Sequence, residues 1–224
     1  MSALDYWHPV LGSRALPRDR VEAVSVAGHS IAVFRTADGR LGAVADQCAH
    51  RRMKLSVGRV RDGRLACPYH GWTYSCEGEG ASPGSPRTHA CIASYECIEA
   101  HGAIWVKGRG SAQAPPALAM EGWDFVGAVF NKVNAPLELV IDNFSEIEHT
   151  VATHPHFGFD PDRVDEAVVK IEATEDTVTV RNHGPAKLPP WSTRLMVRVT
   201  LTISSLHKLP KLPSCVCCSF LERS

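Results

Sequence analysis

The chain of 224 residues balances 24 Lys and Arg against 24 Asp and Glu and is 44% hydrophobic, enough to bury one large core or two modest ones. Its neutrality argues against a polyanion-binding surface, and so against nucleic acid as a partner. No basic start followed by an apolar run occurs, nor any stretch of about eighteen apolar residues, which predicts a soluble, cytoplasmic protein with no membrane partner. The eight cysteines are then read as metal ligands or spectators rather than as disulfides.

The first half reads as strands joined by turns. Ile31–Arg35 and Leu41–Asp46 flank Ala37-Asp38-Gly39, an Asp-Gly hairpin signal. A second Asp-Gly, Asp62-Gly63, precedes Leu65-Ala66-Cys67, and Gly102–Lys107 (GAIWVK) predicts a further strand. Among these strands lie Cys48-Ala49-His50 and Cys67-Pro68-Tyr69-His70, in the pattern C-x-H-x16-C-x2-H. Each pair follows a strand-like run, so two loops meeting tip to tip would converge four ligands on one site. Cys2His2 suits tetrahedral zinc as well as iron. Structural zinc sites usually pair like with like, however, whereas here each loop donates one thiol and one imidazole. That mixture fits a [2Fe–2S] centre in which two thiolates hold one iron and two imidazoles the other.

Cys76, Cys91 and Cys97 have no histidine at ligand spacing and are expected to be small buried hydrophobes. Trp72 and Trp105 are expected in the core. Arg51 and Arg52 are either solvated or a basic patch suited to an acidic electron donor. Gly108–Ala119 (GRGSAQAPPALA) cannot continue a strand or helix, and the charge sums to +4 over 1–110 and −4 over 111–224. The predicted organisation is a first domain over 1–110, a linker over 111–119, a second domain over 120–203 and an atypical tail over 204–224.

In the second half, Leu137–His154 places Leu137, Val140, Ile141, Phe144, Ile147 and Val151 at helical spacing. On that helix Asn143, Glu146 and His149 share a face, and His154 returns to it if the helix ends near Thr153-His154-Pro155. Two histidines with a carboxylate suit non-haem Fe(II), which leaves positions open for dioxygen. Val164–Val180 and Leu195–Ile203 alternate like antiparallel strands. The tail, SSLHKLPKLPSCVCCSFLERS, reads as neither a further strand nor a closing helix.

CAHR and CPYHGW, with the early YWHPV, resemble the ligand loops of Rieske iron–sulfur domains over about Tyr6–Gly108. DNFSEIEHTVATH is similar to the mononuclear-iron helix of Rieske non-haem iron oxygenases, the ring-hydroxylating dioxygenase and O-demethylase type. The resemblance implies an α+β fold: an all-β Rieske [2Fe–2S] domain followed by an incomplete helix-grip, START-like catalytic domain. It implies Cys48, His50, Cys67 and His70 as cluster ligands, His149 and His154 as ligands of mononuclear Fe(II), and Glu146, beside Asn143, as the acid bridging cluster and iron between subunits of a homotrimer.

Glu146 stands where the family uses aspartate, and no residue matches the family's third, carboxylate iron ligand. The expectation is therefore a C-terminally truncated catalytic subunit that binds iron weakly. Complete, such a subunit takes electrons from a reductase or ferredoxin and uses O2 to hydroxylate or demethylate a small organic, aromatic substrate. The loops lack the extra cysteines of respiratory Rieske proteins, which places the expected potential toward about −150 mV. The alternatives are a Rieske electron-transfer protein or inactive fragment, and a zinc-stabilised module.

Overall fold

The computed structural model describes residues 2–115, 123–132, 135–136, 139–140, 142–143, 146, 148–154, 158–173, 177–185, 187, 198–204 and 214–222. They fall into two compact units, Met1–Val133 with Ser214–Ser224, and Asn134–Pro213.

The first unit runs β1 (His8–Gly12), β2 (Arg20–Val26), β3 (His29–Arg35), β4 (Leu41–Ala45), β5 (Arg59–Arg61), β6 (Arg64–Ala66), β7 (Thr73–Tyr74), β8 (Glu79–Ser82), β9 (Ser85–Cys91), β10 (Ser94–Ala100), β11 (Ala103–Gly108) and β12 (Trp123–Lys132). Six of these strands form one sheet in the order β1-β11-β10-β4-β3-β2, and β5 to β9 form a second in sequence order. Each expected Asp-Gly turn closes a hairpin. Gly39 has φ 95°, and Asp62 and Gly63 have φ 51° and 70°, the doubly left-handed geometry that Asp-Gly favours.

Strand β3 explains why the two sheets share a core. Successive side chains point to opposite faces: Ala32 and Phe34 enter one buried cluster with Val44, Leu55, Leu65 and Tyr74, while Ile31 and Val33 enter another with Leu16, Tyr95, Ile104 and Val106. Both faces are covered, so the strand reads as a continuous apolar run. Cys48, Cys67 and Trp72 belong to the first cluster, so the roots of both ligand loops are part of the hydrophobic core. Trp105 is also buried, as expected.

The second unit contains helix α1 (Glu148–Thr153), a 3-10 turn over Pro161–Glu166, and strands β13 (Val168–Ala173), β14 (Thr177–His183) and β15 (Arg198–Ser204), paired antiparallel in that order. Val164, expected to open a strand, sits in the 3-10 turn, where Pro161 and the Asp160 side chain accepting from the Asp162 N–H fix the start.

The division between units lies beyond the expected linker. Strand β12 pairs with β16 (Ser214–Glu222), from Trp123↔Glu222 to Lys132↔Ser214, so its ten residues group with the first unit. The tail therefore contains a strand where none was expected. Pro213 is its last proline, and SCVCCSFLE beyond it is rich in residues suited to a pleated strand. No helix among the described residues is long and apolar enough to cross a membrane.

Candidate functional site

The two ligand loops leave the core by one backbone device. In the first, Cys48 N–H donates to Met53 O at 2.8 Å and Arg52 N–H to Cys48 O at 2.8 Å. In the second, Cys67 N–H donates to Trp72 O at 2.7 Å and Gly71 N–H to Cys67 O at 3.2 Å. Each loop turns back through a left-handed residue four positions after its cysteine, Arg52 at φ 55° and Gly71 at φ 71°. Glycine takes that conformation freely, while a residue with a Cβ holds it at a cost of about 1–2 kcal/mol.

The result is a separation of donors by depth. Cys48 and Cys67 are 1% and 4% exposed, whereas His50 and His70 are exposed. The two imidazole centroids lie 4.7 Å apart and edge-on, the His50 ring stacks on Trp72 at 5.8 Å, and Tyr69 lies 3.7 Å from His70. Burial pushes the Cys67 thiol above its ordinary pKa; the N–H groups of Tyr69 and His70 pull it down, and the adjoining Cys48 thiol raises it. Those two N–H groups are the ones that would stabilise a thiolate at this position. Desolvation, then His50 and Arg51, hold His70 below the usual imidazole value, favouring the neutral form that binds metals. Two buried sulfurs beside two exposed imidazoles match the two-plus-two donor set of a histidine-ligated [2Fe–2S] cluster.

Three residues around these centres were not anticipated from the sequence. Tyr74 is fully buried; its hydroxyl oxygen accepts from Ala49 N–H at 2.9 Å and lies 3.1 Å from Cys48 Sγ. Burial and the Cys48 contact hold its pKa well above the ordinary tyrosine value, so it stays a phenol able to donate. A buried tyrosine hydroxyl needs a partner, which is the signal its place seven residues after Cys67 carried. Asp46 is 5% exposed and closes the first loop. Its carboxylate accepts from Ser56 N–H at 2.6 Å, Ser56 Oγ at 2.8 Å and Ser30 Oγ at 3.3 Å. The third residue, Lys187, belongs to the other unit.

In that unit the expected continuous helix is interrupted. Residues 139–140 and 142–143 are helical, Glu146 is not, and helix α1 begins at Glu148. The cause is Glu146 itself, whose carboxylate accepts from Glu148 N–H at 3.0 Å and His149 N–H at 3.2 Å, a capping arrangement. It also meets His149 Nδ1 at 2.6 Å. Partial burial pushes the Glu146 carboxyl up, but the hydrogen bonds from His149 and Glu148 outweigh it and leave a lowered pKa.

His154 follows α1 directly, its ring centroid 5.7 Å from that of His149 and edge-on. Lys187 Nζ donates to Val151 O and, at 2.7 Å, to His154 O, tying the end of α1. Asn143 is exposed. Among the described residues no three His, Cys, Asp or Glu side chains converge on one metal position. Of the nearby acids, Asp160 caps the 3-10 turn and Glu166 pairs with Arg163 at 2.7 Å.

Residues 6–96 match the family model for the Rieske [2Fe-2S] domain. The chain is 34% identical over 158 residues to a chloroplastic chlorophyllide a oxygenase of Chlamydomonas reinhardtii, covering 67% of this chain and 24% of that protein. It is 33% identical over 176 residues to the vanillate O-demethylase oxygenase subunit of a Pseudomonas strain, HR199, covering 74% and 49%. A solved Pseudomonas putida NdmA mutant with theobromine superimposes with a TM-score of 0.64 at 27% identity, covering 80% of this chain and 57% of that one. The chain carries a Rieske [2Fe-2S] domain over residues 6–96 and is similar beyond it to Rieske oxygenases.

It spans from about a quarter to about half the length of these two curated relatives. The Rieske match includes both ligand loops, whereas the second-unit histidines lie outside it. Of the spectator cysteines in this Rieske unit, Cys76 is buried and Cys97 half-buried, its thiol pushed up by burial to about 12; Cys91, expected inside, is exposed.

Proposed function

We propose that this chain is a Rieske oxygenase component in which Cys48, His50, Cys67 and His70 hold a [2Fe–2S] cluster and His149 and His154 hold mononuclear Fe(II). The reading is carried by the matched loops that set two buried sulfurs beside two exposed imidazoles. When bound, the cluster supplies one-electron transfer and the Fe(II) supplies dioxygen activation. The chain's own residues bind and orient. Glu146 occupies His149 Nδ1, which leaves Nε2 as the nitrogen for a metal and fixes the ring, as partners of metal-bound histidines do. Lys187 restrains His154 through its carbonyl.

The exposed His50 and His70 are the exits for electrons, and Glu146 of a neighbouring copy in a homotrimer is the relay that receives them. A reductase or ferredoxin supplies those electrons. The substrate is a small aromatic molecule that is hydroxylated or oxidatively demethylated, a reading supported by the names of two similar proteins, an O-demethylase and an N1-demethylase.

An electron carrier without working mononuclear iron is the second reading, favoured by the lack of a third converging donor among the described residues. The discriminating experiment is a single turnover: protein purified without oxygen is reduced, then given O2 and a methoxy- or N-methyl-aromatic. Formaldehyde or a hydroxylated product supports the oxygenase reading. A Rieske electron paramagnetic resonance signal without product supports the carrier. Zinc without acid-labile sulfide sinks the cluster assignment.

A further inference from the structure

The segment 47–74 that carries all four cluster ligands holds six Lys and Arg against one Asp, in a chain whose formal net charge is zero. Three of the cations are gathered by the β5–β6 hairpin. Arg59 and Arg61 are two apart and share one face of β5, and Arg61 lies directly opposite Arg64 across the ladder. Val60 and Leu65, the pair between them in register, are buried in the core. Like charges placed directly opposite destabilise a hairpin, so stability alone does not account for this face.

Arg64 is held down by Thr73 Oγ1 at 3.0 Å and the Glu79 carbonyl at 2.5 Å. Arg61 remains 67% exposed beside Asp62, and Arg59 is exposed. The hairpin forms one wall of a groove of about 730 Å³ whose lining includes Arg59, Arg61, Arg64, Cys67 and Pro68. Val57, 58% exposed, adds an apolar contact to the same wall. Neither His50 nor His70 lines the groove.

The imidazoles are exposed, and an arginine-lined groove that does not include them adjoins the second cysteine loop. We propose that the groove is the dock of the electron donor, a protein with an acidic surface around its own redox centre, and that electrons enter past Cys67 and Pro68. The proposal rests on the reading of His50 and His70 as the exit, which leaves the groove side for entry. One electron leaves the reduced donor and one is taken up by the oxidised cluster, with no bond made or broken. Complementary charge raises the encounter rate and makes it sensitive to salt.

The test uses the full-length holoprotein and an acidic plant-type [2Fe–2S] ferredoxin as the probe, with binding measured by calorimetric titration and cluster reduction by stopped flow. In R59E/R61E we expect affinity and second-order reduction rate to fall about tenfold or more at low salt, with a flatter salt dependence. R59Q/R61Q should fall between, and cluster content and visible spectrum should match the parent. Unchanged affinity and rate in R59E/R61E overturn the proposal. So does an equal loss in R51E/R52E with none in R59E/R61E, which puts the donor on the imidazole face. Parent protein lacking a Rieske spectrum overturns the cluster reading instead, before any rate is compared.

Discussion

Tyr74 is the single side chain with most leverage on the cluster site, because it touches a ligand sulfur without being a ligand. Ala49 N–H already donates to its oxygen, so the hydroxyl proton is free to point at Cys48 Sγ, 3.1 Å away. A hydrogen bond to a cysteine sulfur favours the more negative, reduced state, and such bonds help set Rieske potentials. In Tyr74→Phe we expect the midpoint potential to fall by roughly 40 mV, the one-electron equivalent of a net ~1 kcal/mol preference for the reduced form. Protein-film voltammetry of parent and variant at equal cluster content measures it; an unchanged or raised potential means that the hydroxyl does not donate to the sulfur. The same substitution leaves Ala49 N–H without its acceptor, so loading has to be checked first by iron and sulfide content.

At the scale of elements, the ligand loops and helix α1 are positioned by different means. The loops share a backbone hydrogen-bond scheme, yet one uses Gly71 and the other Arg52 at the left-handed position. Arg52→Gly should relieve that strain and stabilise the first unit by about 0.5–1 kcal/mol after glycine's extra chain entropy is allowed for. A higher urea midpoint with an unchanged slope is the expected result, and a lower midpoint shows that the arginine makes contacts that outweigh its backbone strain.

Helix α1 depends instead on a distant cation: Lys187 Nζ binds carbonyls at its end, where a positive charge is favourable. Lys187→Met should lower iron affinity at His149 and His154 about tenfold, within the range for partners of metal ligands, and leave the cluster spectrum alone. Iron titration of the cluster-loaded protein reads this out, and parental affinity in the variant removes Lys187 from the site.

These elements also mark what the sequence could reveal. Asp38-Gly39 and Asp62-Gly63 act within a few residues, and the cysteine–histidine spacings are local, so their loops were legible. The periodicity from Leu137 to Val151 was local too, but it could not reveal that the Glu146 carboxylate would cap Glu148 and His149 and break the helix. Lys187 and strand β16 were not legible because their partners, His154 and β12, lie far away along the chain, and nothing in a one-dimensional pattern names a distant partner.

For the whole molecule, the decisive difference is how completely each of the two units assembles its donors. The first gathers two buried thiols and two adjoining imidazoles on loops rooted in a core that includes both cysteines; no three of them converge on one position, but a cluster asks only two donors of the protein for each iron. The second brings two imidazoles to 5.7 Å with Glu146 engaged in capping α1 and holding His149 Nδ1, and its described acids do not complete a three-donor position. Affinity for a single iron falls steeply when a charged ligand is missing, since a carboxylate contributes both a bond and neutralising charge.

Protein purified without oxygen should therefore hold about two irons and two sulfides per chain firmly, as a [2Fe–2S] centre requires. Iron beyond that should be substoichiometric and removable by a mild chelator. His149→Ala combined with His154→Ala should abolish the loosely held iron and leave the first two irons and the sulfide untouched. Three firmly held irons in the parent would show that another carboxylate or water completes the second site. Loss of cluster iron in the double variant would show that the two units do not fold independently.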